Sequence, residues 1–354
     1  MGDYFFYLLN VYILNFVTNF KYFFICTVLL YVIVKTAKYT GLIDIPNSRS
    51  SHVRPTPSGG GLAIASIILI ANHNAFKTCP EFFIGGLFIS VIGLMDDIKS
   101  MPVLPRLLTQ FLVVSLIIYF LPAQNPVKGI PVTIVKILLI FSGVWFINLY
   151  NFMDGIDGLA GGYANAASVG FLFCITSGLR VEEWNFQIYT QIIYITIPFL
   201  IFNWSPAKIF LGDIGSTFLG FTFFSLGARG LLYGNYIMYA FIIIMSFFWI
   251  DATITLARRF FLGKRVFSAH KEHAFQKAAA KYGHWRVSAF IIAVTLFWLN
   301  PMANLTVKHG QYGPILTTLT ILPVLIIVLS FKPGLPVEKE VTKDSFPLEP
   351  GQSR

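Results

Sequence analysis

The chain is 354 residues long, 56% hydrophobic and only 12% charged, with a mean hydropathy of +0.70 and a formal charge of +10. That composition excludes a soluble globular domain, and repeated apolar runs of roughly 20 residues mark a polytopic helical membrane protein. The excess positive charge lies mostly in the loops, where it reads as membrane topology and attraction to anionic lipid rather than nucleic-acid binding.

The pattern predicts an all-α polytopic membrane protein of about eleven transmembrane helices with active-site loops on the cytoplasmic face. The spans fall at about 20–35, 61–76, 81–95, 106–122, 132–150, 159–178, 187–203, 214–231, 236–257, 287–300 and 313–331. They are read as one transmembrane domain over 1–331. The segment 332–354, rich in Pro, Glu and Lys, reads as a disordered cytoplasmic tail. The N-terminus has no basic n-region and no small-residue cleavage site, so the first helix is expected to serve as the insertion signal. Cys26, Cys79 and Cys174 show no metal or redox spacing and read as small hydrophobes.

Most Lys and Arg fall on one set of alternate loops, and the positive-inside rule makes that face cytoplasmic. Asp44, Asp96, Asp97, Asp154, Asp157, Asp213 and Glu272 then share it, with Asp251 near the same end of its span.

The stretch Asn148 to Gly162 sets Asp154 and Asp157 between two apolar runs, with Gly155 and Gly158 beside them. An Asp at the bilayer centre costs roughly 2.5–3.5 kcal/mol, so such residues should face water, a cation or a partner. Glycine beside them lets backbone approach a ligand. A polar turn between two helices is the simpler alternative. Asp96 and Asp97 directly follow another apolar run; as neighbours on a helix they point different ways. One can hold a cation while the other orients a group or takes a proton, although a helix cap would look the same. In Asn203 to Ser216, Pro206, Gly212 and Gly215 keep the backbone irregular around Lys208, Asp213 and Ser216. Asp213 at the mouth of a helix suits Mg²⁺, which takes oxygen ligands and bridges to phosphates.

Two basic loops complete the set. Between Arg258 and Arg286, His270 and His273 are spaced to share one face of a short helix. Without Cys or a third ligand they make a poor zinc site, and their cationic surroundings favour an anionic ligand such as a nucleotide diphosphate. A solvated positive-inside loop is the alternative. The earlier loop carries Asn47, Arg49, Ser50, Ser51, His52, Arg54 and Thr56 before Gly59, Gly60 and Gly61. Amides freed by glycine there could cradle phosphate, or the segment could be a plain linker. Together, five carboxylates under basic loops suit Mg²⁺-assisted phosphoryl transfer at a bilayer surface.

These motifs resemble the polyprenyl-phosphate N-acetylhexosamine-1-phosphate transferases, of the glycosyltransferase family 4 type. The resemblance is carried, in this order, by Pro46-Asn47-x-Arg49-Ser50-Ser51-His52, Pro55-Thr56-Pro57-x-Gly59-Gly60-Gly61, Asp96-Asp97, Asn151-x-x-Asp154-Gly155-x-Asp157-Gly158, and Asn203-x-x-Pro206-Ala207-Lys208-x-Phe210-x-Gly212-Asp213-x-Gly215-Ser216. It runs from about Gly41 to Arg286. The resemblance implies a UDP-N-acetylhexosamine donor, undecaprenyl phosphate as acceptor, Mg²⁺ (with Mn²⁺ as a substitute), release of UMP, and a multi-pass location in the bacterial inner membrane among its lipids. A homodimer is compatible with it.

By motif, Asp96, Asp97, Asp157 and Asp213 would be catalytic, with Asp213 and Asp97 at the metal. Asn151, Asp154 and Asn203 would line the nucleotide cleft, Phe210 would lie against uracil, Lys208 and Arg54 would be charge partners, and His270 and His273 would face the sugar and nucleotide. The loop His270-Lys-Glu-His273 departs from the three consecutive histidines of the phospho-MurNAc-pentapeptide transferases. It looks more like O-antigen initiators that take GlcNAc or a 6-deoxy sugar such as FucNAc or QuiNAc. A transporter with a carboxylate relay is the rival from another class, and it expects acids along a path across the bilayer.

Overall fold

The computed structural model describes residues 2–46, 54–121, 129–178, 183–232, 237–265 and 270–335, with side chains from residue 17 onward and not at 231–232. Asn47 to Val53 and the tail beyond Leu335 lie outside the described residues. The expectations for Asn47, Arg49, Ser50, Ser51, His52 and most of the tail are therefore not addressed.

A long helix α1 (Gly2–Thr40) leads into a two-residue antiparallel pair, β1 (Ile43–Asp44) with β2 (Thr56–Pro57), in the register Ile43 to Pro57 and Asp44 to Thr56. There follow α2 (Gly60–Ala71), α3 (Pro80–Ile98), α4 (Val103–Phe120), α5 (Val132–Phe152), α6 (Leu159–Thr176), α7 (Glu183–Asn203) and α8 (Gly212–Leu232). The second half holds α9 (Ile237–Ile244), α10 (Ser246–Phe261), a short α11 (Ala274–Tyr282), α12 (His284–Val294), α13 (Asn300–Lys308) and α14 (Gly313–Ser330). A π turn at Thr295–Leu299 joins α12 to α13.

The protein is thus a polytopic all-helical membrane protein. Each of the eleven predicted spans is helical, but the count of membrane-crossing helices is smaller. Among the described residues seven helices have the length and apolarity to cross, and eight if α9 and α10 form one span bent by 65°. The reason is physical: α2 has only 12 residues, α3 carries Glu81, Asp96 and Asp97, and α8 carries Asp213 and Arg229 with several Gly, Ser and Thr between them.

Lipid tails are as apolar as leucine, so close packing rather than the hydrophobic effect joins the helices, and small residues mark the contacts. A side chain at Gly61 would meet Gly215 Cα at 2.1 Å, and one at Gly93 would meet Ile214 Cα at 2.5 Å. The first turn of α8 is therefore wedged between α2 and the end of α3. An aromatic core runs below it, where Tyr163 stacks on Phe248 at 4.0 Å. The break at Met245 frees carbonyls of α9. The Tyr163 hydroxyl donates to Ile244 O at 2.5 Å and Trp249 Nε1 to Ile242 O at 3.0 Å, so the kink costs no unpaired group at those two oxygens. All three cysteines are buried, as small hydrophobes should be.

Candidate active site

A cleft of about 600 Å³ opens where the ends of α3 and α5 meet the start of α8. Asp44, Asp96, Asp97, Asn151, Asp154, Asp157, Asn203, Phe210 and Asp213 all line it. Residues from four separate stretches of chain therefore meet in one place.

Asp97 holds the start of α8. Its carboxylate accepts the amides of Asp213 at 2.8 Å and Ile214 at 3.1 Å, and the Ser58 hydroxyl at 3.4 Å. A carboxylate at a helix N-terminus satisfies orphan amides and meets the positive end of the helix dipole. Gly212 makes room for it: its φ is +77°, and a side chain there would meet Asp97 Oδ2 at 2.5 Å. Asp96 turns the other way, as adjacent helical residues must. It accepts the Met101 amide at 2.5 Å and pairs with Arg106, whose guanidinium also lies 3.4 Å from Asp213 Oδ2.

The Asp154–Gly158 turn is built by its neighbours. Tyr150 donates to Ala160 O at 3.0 Å, tying the end of α5 to the start of α6. Asn203 accepts from the Gly158 amide at 2.9 Å and donates to Ile209 O at 2.8 Å, which locks this turn to the loop before α8. Asn151 accepts from Ser216 at 2.7 Å. Asp157 accepts the Ala207 amide at 3.3 Å and lies 3.5 Å from His284 Nδ1. Burial pushes the Asp157 carboxyl up, but the His284 ring, the Ser205 hydroxyl and the Ala207 amide outweigh it and hold it below its ordinary range. The Asp154 amide donates to Asn151 O at 3.1 Å, but its carboxylate has no hydrogen bond or ion pair among the described residues. Burial, and then the charges of Asp97 and Asp157, push its carboxyl well above the ordinary range.

The other predicted residues sit elsewhere. Lys208 and Arg54 are exposed and do not line the cleft. His270 and His273 do not share a helix face. They precede α11, stack on each other at 4.9 Å, and His273 becomes the N-cap of that helix. His273 is buried, 3.5 Å from Asp251. The glycine-rich stretch is no free phosphate cradle at Gly60 and Gly61: their amides donate to Phe210 O at 2.9 Å and Leu211 O at 2.8 Å.

Asp251, whose role the chain left open, accepts the amides of Ala274 and Phe275, both at 2.9 Å. It caps α11 from α10 as Asp97 caps α8 from α3. That seats α11 over the turn, with Phe275 and Gln276 against Gly155. Sequence reasoning missed Ser58, Arg106, Gln276 and His284. Arg106 stands alone as a cation in its apolar run, and His284 follows a glycine at a helix start; both were visible only as ordinary loop charges.

The donors facing the cleft are carboxylate oxygens, and among the described residues no three His, Cys, Asp or Glu enclose a metal by themselves. A hard cation that keeps several waters and takes one or two carboxylates together with substrate phosphates fits such a half-open set.

Fold and site define a class: a multi-pass helical membrane protein with an acidic cleft of about 600 Å³ at one end of its bundle. The family model for glycosyl transferase family 4 matches residues 80–230. An undecaprenyl-phosphate alpha-N-acetylglucosaminyl 1-phosphate transferase of Thermotoga maritima is 28% identical over 252 residues, covering 70% of this chain and 77% of the relative. A phospho-N-acetylmuramoyl-pentapeptide-transferase of Kosmotoga olearia is 28% identical over 243 residues, covering 62% and 73%. A decaprenyl-phosphate N-acetylglucosaminephosphotransferase of Mycolicibacterium smegmatis is 28% identical over 207 residues, covering 51% of each chain. The chain is similar to these polyprenyl-phosphate hexosamine-1-phosphate transferases of the family 4 type.

Proposed function

We propose that the protein transfers N-acetylhexosamine-1-phosphate from a UDP-sugar to undecaprenyl phosphate, releasing UMP and starting a lipid-linked glycan of the O-antigen kind. The observation that carries this reading is the meeting of Asp96, Asp97, Asp154, Asp157 and Asp213 in one cleft at a single end of the bundle. In this reading that end faces the cytoplasm at the inner membrane, which the excess of Lys and Arg in the loops on that side supports. A lipid phosphate can reach it from the leaflet and a nucleotide from the cytosol.

In this reading the acceptor phosphate attacks the sugar-bearing phosphorus of the donor, a new P–O bond forms, and the bond to UMP breaks. Asp213 and Asp97 would hold Mg²⁺, with Asp154 beside them; the ion supplies positive charge against the pyrophosphate. Asp97 keeps Asp213 in place through the α8 amides. Arg106 holds Asp96, and Phe210 offers a ring face to the base. Transfer of this kind needs positioning and charge neutralisation more than covalent help.

Relatives named for GlcNAc transfer and for phospho-MurNAc-pentapeptide transfer both align. The His270-Lys-Glu-His273 loop favours GlcNAc or a 6-deoxy N-acetylhexosamine over the pentapeptide donor. Purified protein given undecaprenyl phosphate, Mg²⁺ and a panel of UDP-sugars should yield one lipid-linked sugar pyrophosphate by mass. No product and no UMP with any donor would overturn the reading. Acid-dependent ion flux in proteoliposomes would instead favour a transporter.

A further inference from the structure

The segment leaving α14 was read from composition as the start of a disordered tail. It is stitched to the loop beside the cleft instead. Gly334 donates its amide to Glu272 O at 2.9 Å, and Lys264 Nζ bridges Gly334 O at 3.2 Å to Glu272 Oε1 at 2.9 Å. Arg258 donates to Pro333 O at 3.1 Å and Lys277 to Lys332 O at 2.7 Å. Three consecutive carbonyls are thus each held by a different cation.

Backbone geometry marks the same place. Gly334 has φ +78°, and a side chain there would meet Arg258 Cβ at 2.8 Å and Thr255 O at 2.9 Å. Lys332 is the one non-glycine residue with positive φ among those described. Strained backbone persists where its surroundings over-determine it.

From Glu272 the path to the cleft is short. Arg259 pairs with Glu272 at 2.7 Å, and the following residue, His273, caps α11. Phe275 and Gln276 at the start of α11 press on Gly155, inside the turn that carries Asp154 and Asp157.

We infer that Lys332–Gly334 is a positioning strap: it holds the loop around His270–His273 and the start of α11 against the cleft, and so sets affinity for the nucleotide-sugar. The kinetic part of this inference rests on the transferase reading; the structural part does not. The strap touches no reacting atom, so it should move KM for the UDP-sugar rather than kcat.

The test uses full-length protein with Gly334→Val, and Lys277→Met as a milder variant that removes one cation from the strap at a half-buried site. Gly178→Ala is the control, because Gly178 also has positive φ (+111°) but lies beyond the far end of α6 with nothing within 4 Å. Hydrogen–deuterium exchange without substrate should quicken over 270–276 in both strap variants and not in the control. KM for the UDP-sugar should rise about three- to tenfold in Gly334→Val, with KM for undecaprenyl phosphate and kcat nearly unchanged.

Unchanged exchange over 270–276 in both strap variants would overturn the strap. Faster exchange with an unchanged UDP-sugar KM would overturn its positioning role. If the unaltered protein turns over no UDP-sugar at all, the transferase reading falls, while the exchange measurement still decides the strap.

Discussion

The helices α3 and α8 lie against each other along their length, and their two ends treat charge in opposite ways. At one end Glu81 meets Arg229 at 2.6 Å; both are buried, and the Arg229 guanidinium lies 5.3 Å from the Trp184 ring. At the other end Asp96 and Asp213 share Arg106 while Asp97 holds the α8 amides, with Asp154 and Asp157 across the cleft. The first end is balanced and closed, which is what an apolar surrounding demands of buried ions. The second is left short of positive charge and open to solvent. The same helix pair therefore separates a structural ion pair from a set of acids that wants an external cation.

The comparison breaks most sharply at its open end. Asp213→Asn, and separately Asp97→Asn, should lower UMP release in membranes by about 10²- to 10³-fold, the scale of losing one electrostatic group at a reacting centre. Immunoblots should show unchanged protein. Full activity in either variant removes that residue from the mechanism.

The closed end should respond in stability instead. Glu81→Gln leaves Arg229 buried without its carboxylate and should cost about 3 kcal/mol in thermal unfolding of detergent-purified protein. Adding Arg229→Met should recover most of the loss, because replacing both ions spares the desolvation penalty. An equal loss in the double variant would mean that packing, not charge, holds this end.

The smallest effect concerns pH. Asp157 is held below its ordinary range in the folded protein. Its pairing therefore stabilises the fold fully above the unfolded value of about 3.9 and is lost as pH falls through the folded value. His284→Gln removes one cause of the depression and should raise the midpoint of acid unfolding. Because both groups are partly exposed, the change should stay within about 1 kcal/mol. An unmoved acid midpoint would show that the Ser205 hydroxyl and the Ala207 amide carry the effect.

Particular residues show where the chain could be read directly. Asp154, Asp157 and Asp213 were legible because a carboxylate next to glycine at the end of an apolar run has few bland explanations. The cysteines were legible because their spacing matched no ligand set. His270 and His273 were misjudged: their spacing suggested a shared helix face, but α11 begins only at Ala274 and His273 serves as its cap. Gly60 and Gly61 looked free to bind phosphate because the distant loop carbonyls of Phe210 and Leu211 that take their amides leave no local trace. Arg106 was passed over because a single Arg in a membrane-edge loop is what topology by itself requires.

What the chain determined by itself was the membrane class, the helical elements and the gathering of acids at helix ends. Those follow from local rules: apolar length, charge placement, and glycine beside a carboxylate. Only the tertiary structure decided which acids meet, that Asp97 and Asp251 cap helices they do not belong to, and that Lys332–Gly334 is held in place. Those contacts join residues from distant parts of the chain, and their energy depends on which backbone amides and charges packing leaves unpaired. Local composition carries no record of that.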